Sequence, residues 1–142
     1  CIDNCIHTFA GIELRNFCED MMQEQGYEEP TGQAKLTPAY NLPCDYVIHT
    51  VGPIVRGKLT HRDEDLLKSC YEACLKLADQ NGIKSIAFCC ISTGVFCFPN
   101  QRAAEIAVQT VRDYKRQNDS DVKVIFNVFK DEDERIYNEL LR

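Results

Sequence analysis

The sequence predicts an α/β domain of three layers, helix on sheet on helix, around a mixed or largely parallel sheet. Strand-like and helix-like segments alternate along most of the 142 residues, and such alternation favours crossover units. Ser85 to Ile91 is a nearly unbroken apolar run of strand length, the pattern of a strand covered on both faces. Between such runs lie segments whose apolar residues recur every three or four positions, as a helix face requires.

Taken in order, Ile2, Ile6, Ala10, Leu14, Phe17, Cys18 and Met21 mark one amphipathic helix of about six turns, opened by Asp3 and ended near Gly26. Residues 27–32 form a turn-rich link. Ala34 to Ala39 and Tyr46 to Val51 read as strands joined through Asn41–Asp45, and Gly52-Pro53 stops the second. Asp63 to Gln80 is a helix with Leu66, Leu67, Cys70, Ala73, Cys74 and Leu77 on its apolar face, stopped by Asn81-Gly82. After the Ser85 strand come a helix over Gln101–Lys115, a buried-type strand over Val122–Phe129 and a terminal helix over Asp133–Leu141. No repeat, low-complexity tract or linker interrupts this order, so residues 1–142 read as a single domain.

Composition narrows the function. A hydrophobic share of 44% is ordinary for a globular domain, and no apolar run nears the roughly 20 residues of a membrane helix. A formal charge of −6 argues against a nucleic-acid partner and leaves room for a small anion held by backbone amides. Nine cysteines is a high and odd count. Cys70, Cys74, Cys89 and Cys90 fall among apolar residues, where a free thiol packs as a small hydrophobe. The expectation is a reducing, cytoplasmic setting without a disulfide framework.

The segment from Ile86 to Pro99 carries the chemistry. A strand runs into the small-residue loop Ser92-Thr93-Gly94-Val95, then into a helix opening at Pro99. Free amides and the positive end of a helix dipole meet there, which suits a phosphate. Ser92 and Thr93 add hydroxyls, Gly94 permits close approach, and Phe96 and Phe98 can wall the site.

Two separated stretches carry a family resemblance. Cys1-Ile-Asp-Asn-Cys-Ile-His-Thr-Phe-Ala-Gly11 resembles the catalytic-loop-to-helix element of macrodomains, and Ile91-Ser-Thr-Gly-Val-Phe-Cys-Phe-Pro99 resembles their diphosphate-binding loop. Gly32–Thr37 and Tyr46–Pro53 resemble the family's central strands. Cys1 followed by Ile-Asp-Asn resembles, more narrowly, the zinc-containing microbial macrodomains. That resemblance implies a zinc-dependent hydrolase removing mono-ADP-ribose from protein side chains, with Asp or Glu the attachment points. It implies a Cys-x4-His-x-Cys zinc site in which Cys1 is the last ligand, the other two lying before residue 1 with the family's N-terminal strands. A sirtuin-like transferase and a lipoyl-carrier substrate are the partners it suggests.

By the same resemblance, amides from Thr93 to Phe96 would hold the diphosphate, with Ser92 beside them, and Phe98 would pack on the distal ribose. Ile2 and Asp3 would line that ribose, and Asp3, with Asn4, would position or deprotonate the attacking water. The residues alone also allow Asp3 to be a helix cap or first-turn acid, and Asn4 to be a cap. His7 and His49 read as structural, His61 as solvent-facing, Cys5 as a core residue and Cys97 as an exposed thiol. Two other functions fit the same pattern: an ADP-ribose reader without catalysis, and an inactive fragment.

Overall fold

Two strand pairs frame the fold, which a computed structural model describes over residues 2–142. Strand β1 (Ala34–Pro38) runs antiparallel to β2 (Tyr46–Thr50), with Ala34 opposite Thr50 and Pro38 opposite Tyr46. Strand β3 (Ser85–Phe88) runs parallel to β4 (Lys123–Phe126), with Ser85 opposite Lys123 and Phe88 opposite Phe126. The short 39–45 link permits the antiparallel pair. The parallel pair needs a crossover, supplied by helix α4 (Asn100–Gln117). This is the mixed pairing of an α/β fold that the sequence predicts.

Helix α3 (His61–Gln80) packs on β1, β2 and α4, and so ties the two pairs together. Its buried face of Leu67, Cys70, Tyr71, Cys74, Leu75 and Ala78 meets Phe88, Phe98 and the Ala103–Val111 face of α4. Tyr71 lies 4.9 Å from Phe88 between ring centres. The terminal helix α5 (Asp131–Leu140) closes the other end through Tyr137, 4.9 Å from Phe126. Among the described residues no helix is long and apolar enough to cross a membrane.

The structure corrects four element assignments. The expected six-turn helix is two, α1 (Ile2–Ala10) and α2 (Ile12–Gln25), broken at Gly11 with φ 94°. The Ala10 carbonyl, which a continuous helix would give to Leu14, instead accepts the Asn41 amide at 3.2 Å. A Cβ at Gly11 would lie 2.9 Å from Asn41 Nδ2, so the break and the β1–β2 link fit each other only through glycine.

Strand β3 is shorter than expected and covered on one face. Phe88 is buried, but Ser85 and Ala87 are exposed, and Cys89 and Cys90 lie beyond the strand, half-buried. Strand β4 alternates likewise, with Lys123 and Ile125 exposed, and Phe129 lies outside it, 97% exposed. Finally, α3 begins two residues earlier than Asp63. Thr60 caps it, its hydroxyl accepting the Asp63 amide while the Asp63 carboxylate accepts the Thr60 amide.

Candidate functional site

The loop between β3 and α4 is wound tightly by its own hydrogen bonds. Ser92 and Cys97 both take left-handed backbone angles, φ 67° and 62°. The Cys97 amide donates to the Gly94 carbonyl at 3.0 Å and the Phe98 amide to the Ser92 carbonyl at 2.9 Å. The Phe96 carbonyl accepts the Val55 amide at 2.9 Å, which pins the loop to the segment following β2. The amides of Gly94, Val95 and Phe96 are left without an acceptor among the described residues. Gly94 and Val95 are exposed, so these consecutive N–H groups form an open anion cradle just ahead of α4.

Several loop residues stand elsewhere than the sequence suggests. Thr93 is turned inward: its amide and hydroxyl both donate to the Cys90 carbonyl, at 3.4 and 3.1 Å, and neither is free for phosphate. The Ser92 hydroxyl oxygen is buried and has no partner among the described residues. It sits against Gly52, where a Cβ would collide with it. Phe98 is 1% exposed and belongs to the core under the loop, so it offers no face to a ribose. Phe96 is the half-buried aromatic that borders open space, in a shallow cleft of about 250 Å³ shared with Val51, Pro53, Ile54 and Arg56. Arg56 has no motif around it that would have drawn attention in the sequence.

The second element is the start of α1. Asp3 lies in the first turn, its side chain 74% exposed, and faces His7 Nε2 at 3.5 Å. Ile2 is exposed, as is Asn4, whose carbonyl accepts the Thr8 hydroxyl at 2.7 Å. With the helix already formed at Ile2, neither Asp3 nor Asn4 is its cap. Cys5 is exposed, against expectation, because the inward face of α1 is carried by Ile6 and Ala10.

Behind Asp3 lies a cluster that motif reading undervalues. The His7 ring stands 6.3 Å from that of His49, tilted by 41°. His49 Nε2 lies 2.9 Å from the Thr37 hydroxyl, and Thr37 is buried. Burial holds the His49 pKa below its ordinary value, with Asp3 pulling it up and His7 pressing it down. Burial, and then the Asp3 charge, raises the thiol pKa of Cys18 on α2.

Strand β2 connects the two elements. His49 is its fourth residue, and Gly52, against which the Ser92 loop packs, follows three residues later, about 10 Å along an extended chain. The strand that carries His49 beside the Asp3–His7 pair thus runs on into the segment against which the Ser92 loop packs.

Cys1 lies outside the described residues. Among those described, no three His, Cys, Asp or Glu side chains converge as metal ligands. The described residues do not by themselves make a zinc site. The eight described cysteines are free thiols, Cys97 exposed among them.

Comparison with known proteins agrees with this geometry. The family signature described as Macro domain matches residues 1–107. The chain is 66% identical over 141 residues to a protein-ADP-ribose hydrolase of Treponema medium, covering 99% of this chain and 54% of that protein. It is 53% identical over 140 residues to the protein-ADP-ribose hydrolase of a Staphylococcus aureus strain, covering 98% of this chain and 53% of the relative. The chain thus spans about half the length of these curated relatives. Among solved structures, the Oceanobacillus iheyensis macrodomain with ADP superposes with a TM-score of 0.91 at 38% identity, over 99% of this chain and 74% of that one. The Trypanosoma brucei macrodomain in complex with ADP-ribose does so with a TM-score of 0.85 at 33% identity, over 100% and 57%. A cradle of free amides, an acid-bearing helix start and these matches lead to one conclusion: the chain belongs to the Macro domain family.

Proposed function

We propose that this chain binds ADP-ribose and takes part in hydrolysing it from ADP-ribosylated protein side chains. The observation that carries the reading is the run of amides at Gly94, Val95 and Phe96, without acceptors among the described residues, ahead of α4. Three N–H groups and a helix dipole suit a diphosphate without any basic side chain, and the relatives' names supply the nucleotide. Phe96, rather than Phe98, is the aromatic available to the distal ribose.

In this reading Asp3 is the acid–base residue. Its carboxylate is exposed and backed by a histidine, beside the strand that runs on to the segment holding the cradle loop. It would orient a water or the ribose hydroxyl, and as a base it must come within hydrogen-bond reach of the proton it takes. Water then adds its hydroxyl to one side of the broken bond and its proton to the other, freeing ADP-ribose and the side chain. Asn4 is the neighbouring exposed amide available to the same water or ribose.

The finer parts of the proposal are an Asp or Glu attachment point, a cytoplasmic setting, and a sirtuin-like transferase and lipoyl-carrier protein as partners. Zinc belongs to it as well, with Cys1 as one ligand, and a bound zinc supplies Lewis-acid chemistry. The resemblance of the Cys1-Ile-Asp-Asn order to the zinc-containing microbial macrodomains suggests the attachment point, the partners and the metal, and free thiols suit a reducing setting. Zinc content by elemental analysis, wild type against Cys1→Ser, tests the metal: equal content in both removes Cys1 as a ligand.

The main test compares wild type with Asp3→Ala for release of ADP-ribose from an automodified protein, alongside calorimetric binding of ADP-ribose. Lost release with retained binding is expected. Unchanged release would remove Asp3 from the chemistry, and binding without release by wild type would make the chain a reader.

A further inference from the structure

We infer that the exposed basic loop after β2, through Arg56, Lys58 and Arg62, docks an acidic segment of the ADP-ribosylated protein. The inference rests on the function proposed above and names the kind of protein that the site takes.

Charge is arranged unevenly along this chain. Its formal charge is −6, yet no Asp or Glu occurs from Tyr46 to Arg62 or from Gln80 to Ala104. These are the two longest acid-free stretches of the sequence. The fold brings them together: the Val55 amide donates to the Phe96 carbonyl at 2.9 Å, and the Ser92 side chain packs on Gly52. One stretch supplies the amide cradle, and the other supplies the basic side chains beside it.

Arg56, Lys58 and Arg62 are all exposed, and none belongs to an ion pair among the described residues. The acids that follow are mostly engaged. The Asp63 carboxylate accepts the Thr60 amide at 3.1 Å, and Glu64 accepts two bonds from Arg102, at 2.7 and 3.1 Å. Asp65 is exposed on α3. These helix acids temper Arg62, whereas Arg56 and Lys58 stand ahead of them in the chain.

The loop also lies where the protein part of the substrate must pass. Arg56 lines the same shallow cleft of about 250 Å³ as Phe96, and the Phe96 amide is one of the cradle's free donors. ADP-ribose seated on the cradle carries its protein at the distal ribose, which the reading above sets against Phe96. Residues flanking the modified side chain then run over the Arg56 cleft, and their carboxylates are the groups that its cations attract. Residues 56–62 contain no Phe, Tyr or Trp on which a base could stack, so a peptide fits this loop better than a nucleic-acid strand. Charges at such a rim act on encounter and salt dependence more than on the chemical step.

Two ADP-ribosylated peptides of one sequence, flanked by Glu in the first and by Gln in the second, test the loop. At low ionic strength, wild type should release ADP-ribose from the Glu-flanked peptide with a KM about tenfold lower and an equal kcat. Salt at about 0.5 M should abolish that preference. The triple variant Arg56→Glu, Lys58→Glu, Arg62→Glu should reverse it, and the corresponding triple Gln variant should erase it. The Gln variant decides if the Glu variant fails to fold. Calorimetric affinity for free ADP-ribose should stay within about twofold in both, because amides hold the diphosphate.

Equal KM values in wild type, or a preference that survives in the variants, would overturn the proposal. So would a parallel loss of free ADP-ribose binding, which would assign the loop to the nucleotide. An oligonucleotide that inhibits release as strongly as the unmodified Glu-flanked peptide would overturn it in favour of nucleic acid. Should wild type release nothing, the functional reading fails, and fluorescence anisotropy of the labelled, unmodified Glu-flanked peptide still judges the loop: tighter binding to wild type than to the variants supports it, and equal binding rejects it.

Discussion

Gly52 shows how one side chain's absence sets the site. Its missing Cβ leaves room for the Ser92 hydroxyl and for Ile91 Cγ2, the latter 2.7 Å from where that atom would be. Gly52→Ala must push the loop away from β2, at about 1–3 kcal/mol for overpacking, and weaken ADP-ribose binding with it. Gly94 lies in the same loop, yet a Cβ there would meet nothing within 4 Å, so Gly94→Ala should leave stability within about 0.5 kcal/mol. Urea denaturation of the two variants distinguishes them, and equal losses would contradict the packing argument. His49 makes a second claim at this scale, through pH. Burial lowers its folded pKa below the ordinary 6.5, against the pull of Asp3 and with the push of His7. The unfolded chain therefore takes up the proton first, and stability present above 6.5 is lost as pH falls toward the folded value. His49→Phe removes that proton site, so the stability gap between wild type and variant should narrow on acidification. A gap independent of pH between about 7.5 and 5 would mean that His49 titrates alike folded and unfolded.

At the scale of elements, the clearest local instruction is Thr60-His-Arg-Asp63. Both halves of the capping box form, at 3.2 and 3.1 Å, and from that start α3 shares most of the core with α4. Thr60→Ala should cost about 1 kcal/mol, read as a lower urea midpoint with an unchanged slope. Loss of less than a few tenths would mean that tertiary packing alone sets the start of α3. Strand and helix order, the stop at Asn81-Gly82 and the helix after Pro99 were all legible in the sequence, because periodicity and turn residues act locally. The break at Gly11 was not. Apolar spacing runs unbroken from Ile6 through Ala10 to Leu14, and only the distant Asn41, taking the Ala10 carbonyl, reveals that the helix ends. The same limit applies to the loop. Its amide-rich character could be read from Ser-Thr-Gly, but which aromatic faces outward depends on the left-handed turn at Cys97, which sends Phe96 to the cleft and Phe98 to the core. The double burial expected of Ser85–Ile91 failed for a related reason: an apolar run does not say how many faces its neighbours cover.

Across the whole molecule, buried side chains are unevenly shared, and stability should be too. One cluster joins α3, β3, α4 and α5 through Leu67, Tyr71, Leu75, Phe88, Val108, Val111 and Tyr137. The α1–α2 region contributes Ala10 and Leu14, buried outside that cluster, and leans on β1 and the 39–41 turn. Yet this thinly anchored region holds Asp3, while the amide cradle rides on the heavier part. A site built across parts of unequal stability is open to local unfolding on its weaker side. Two leucines, each fully buried, separate the cases. Leu67→Ala removes a side chain from the middle of the cluster, costs about 2–5 kcal/mol, and should speed amide exchange throughout α3, α4 and the strands. Leu14→Ala should speed exchange in α1 and α2 while leaving α3 and α4 protected. In that variant ADP-ribose release should fall further than ADP-ribose binding, because Asp3 loses its place while Gly94–Phe96 keep theirs. Hydrogen-exchange mass spectrometry resolves the two patterns. If Leu14→Ala instead lowered protection evenly along the chain, the two regions would unfold as one unit, and the acid and the cradle would share a single stability.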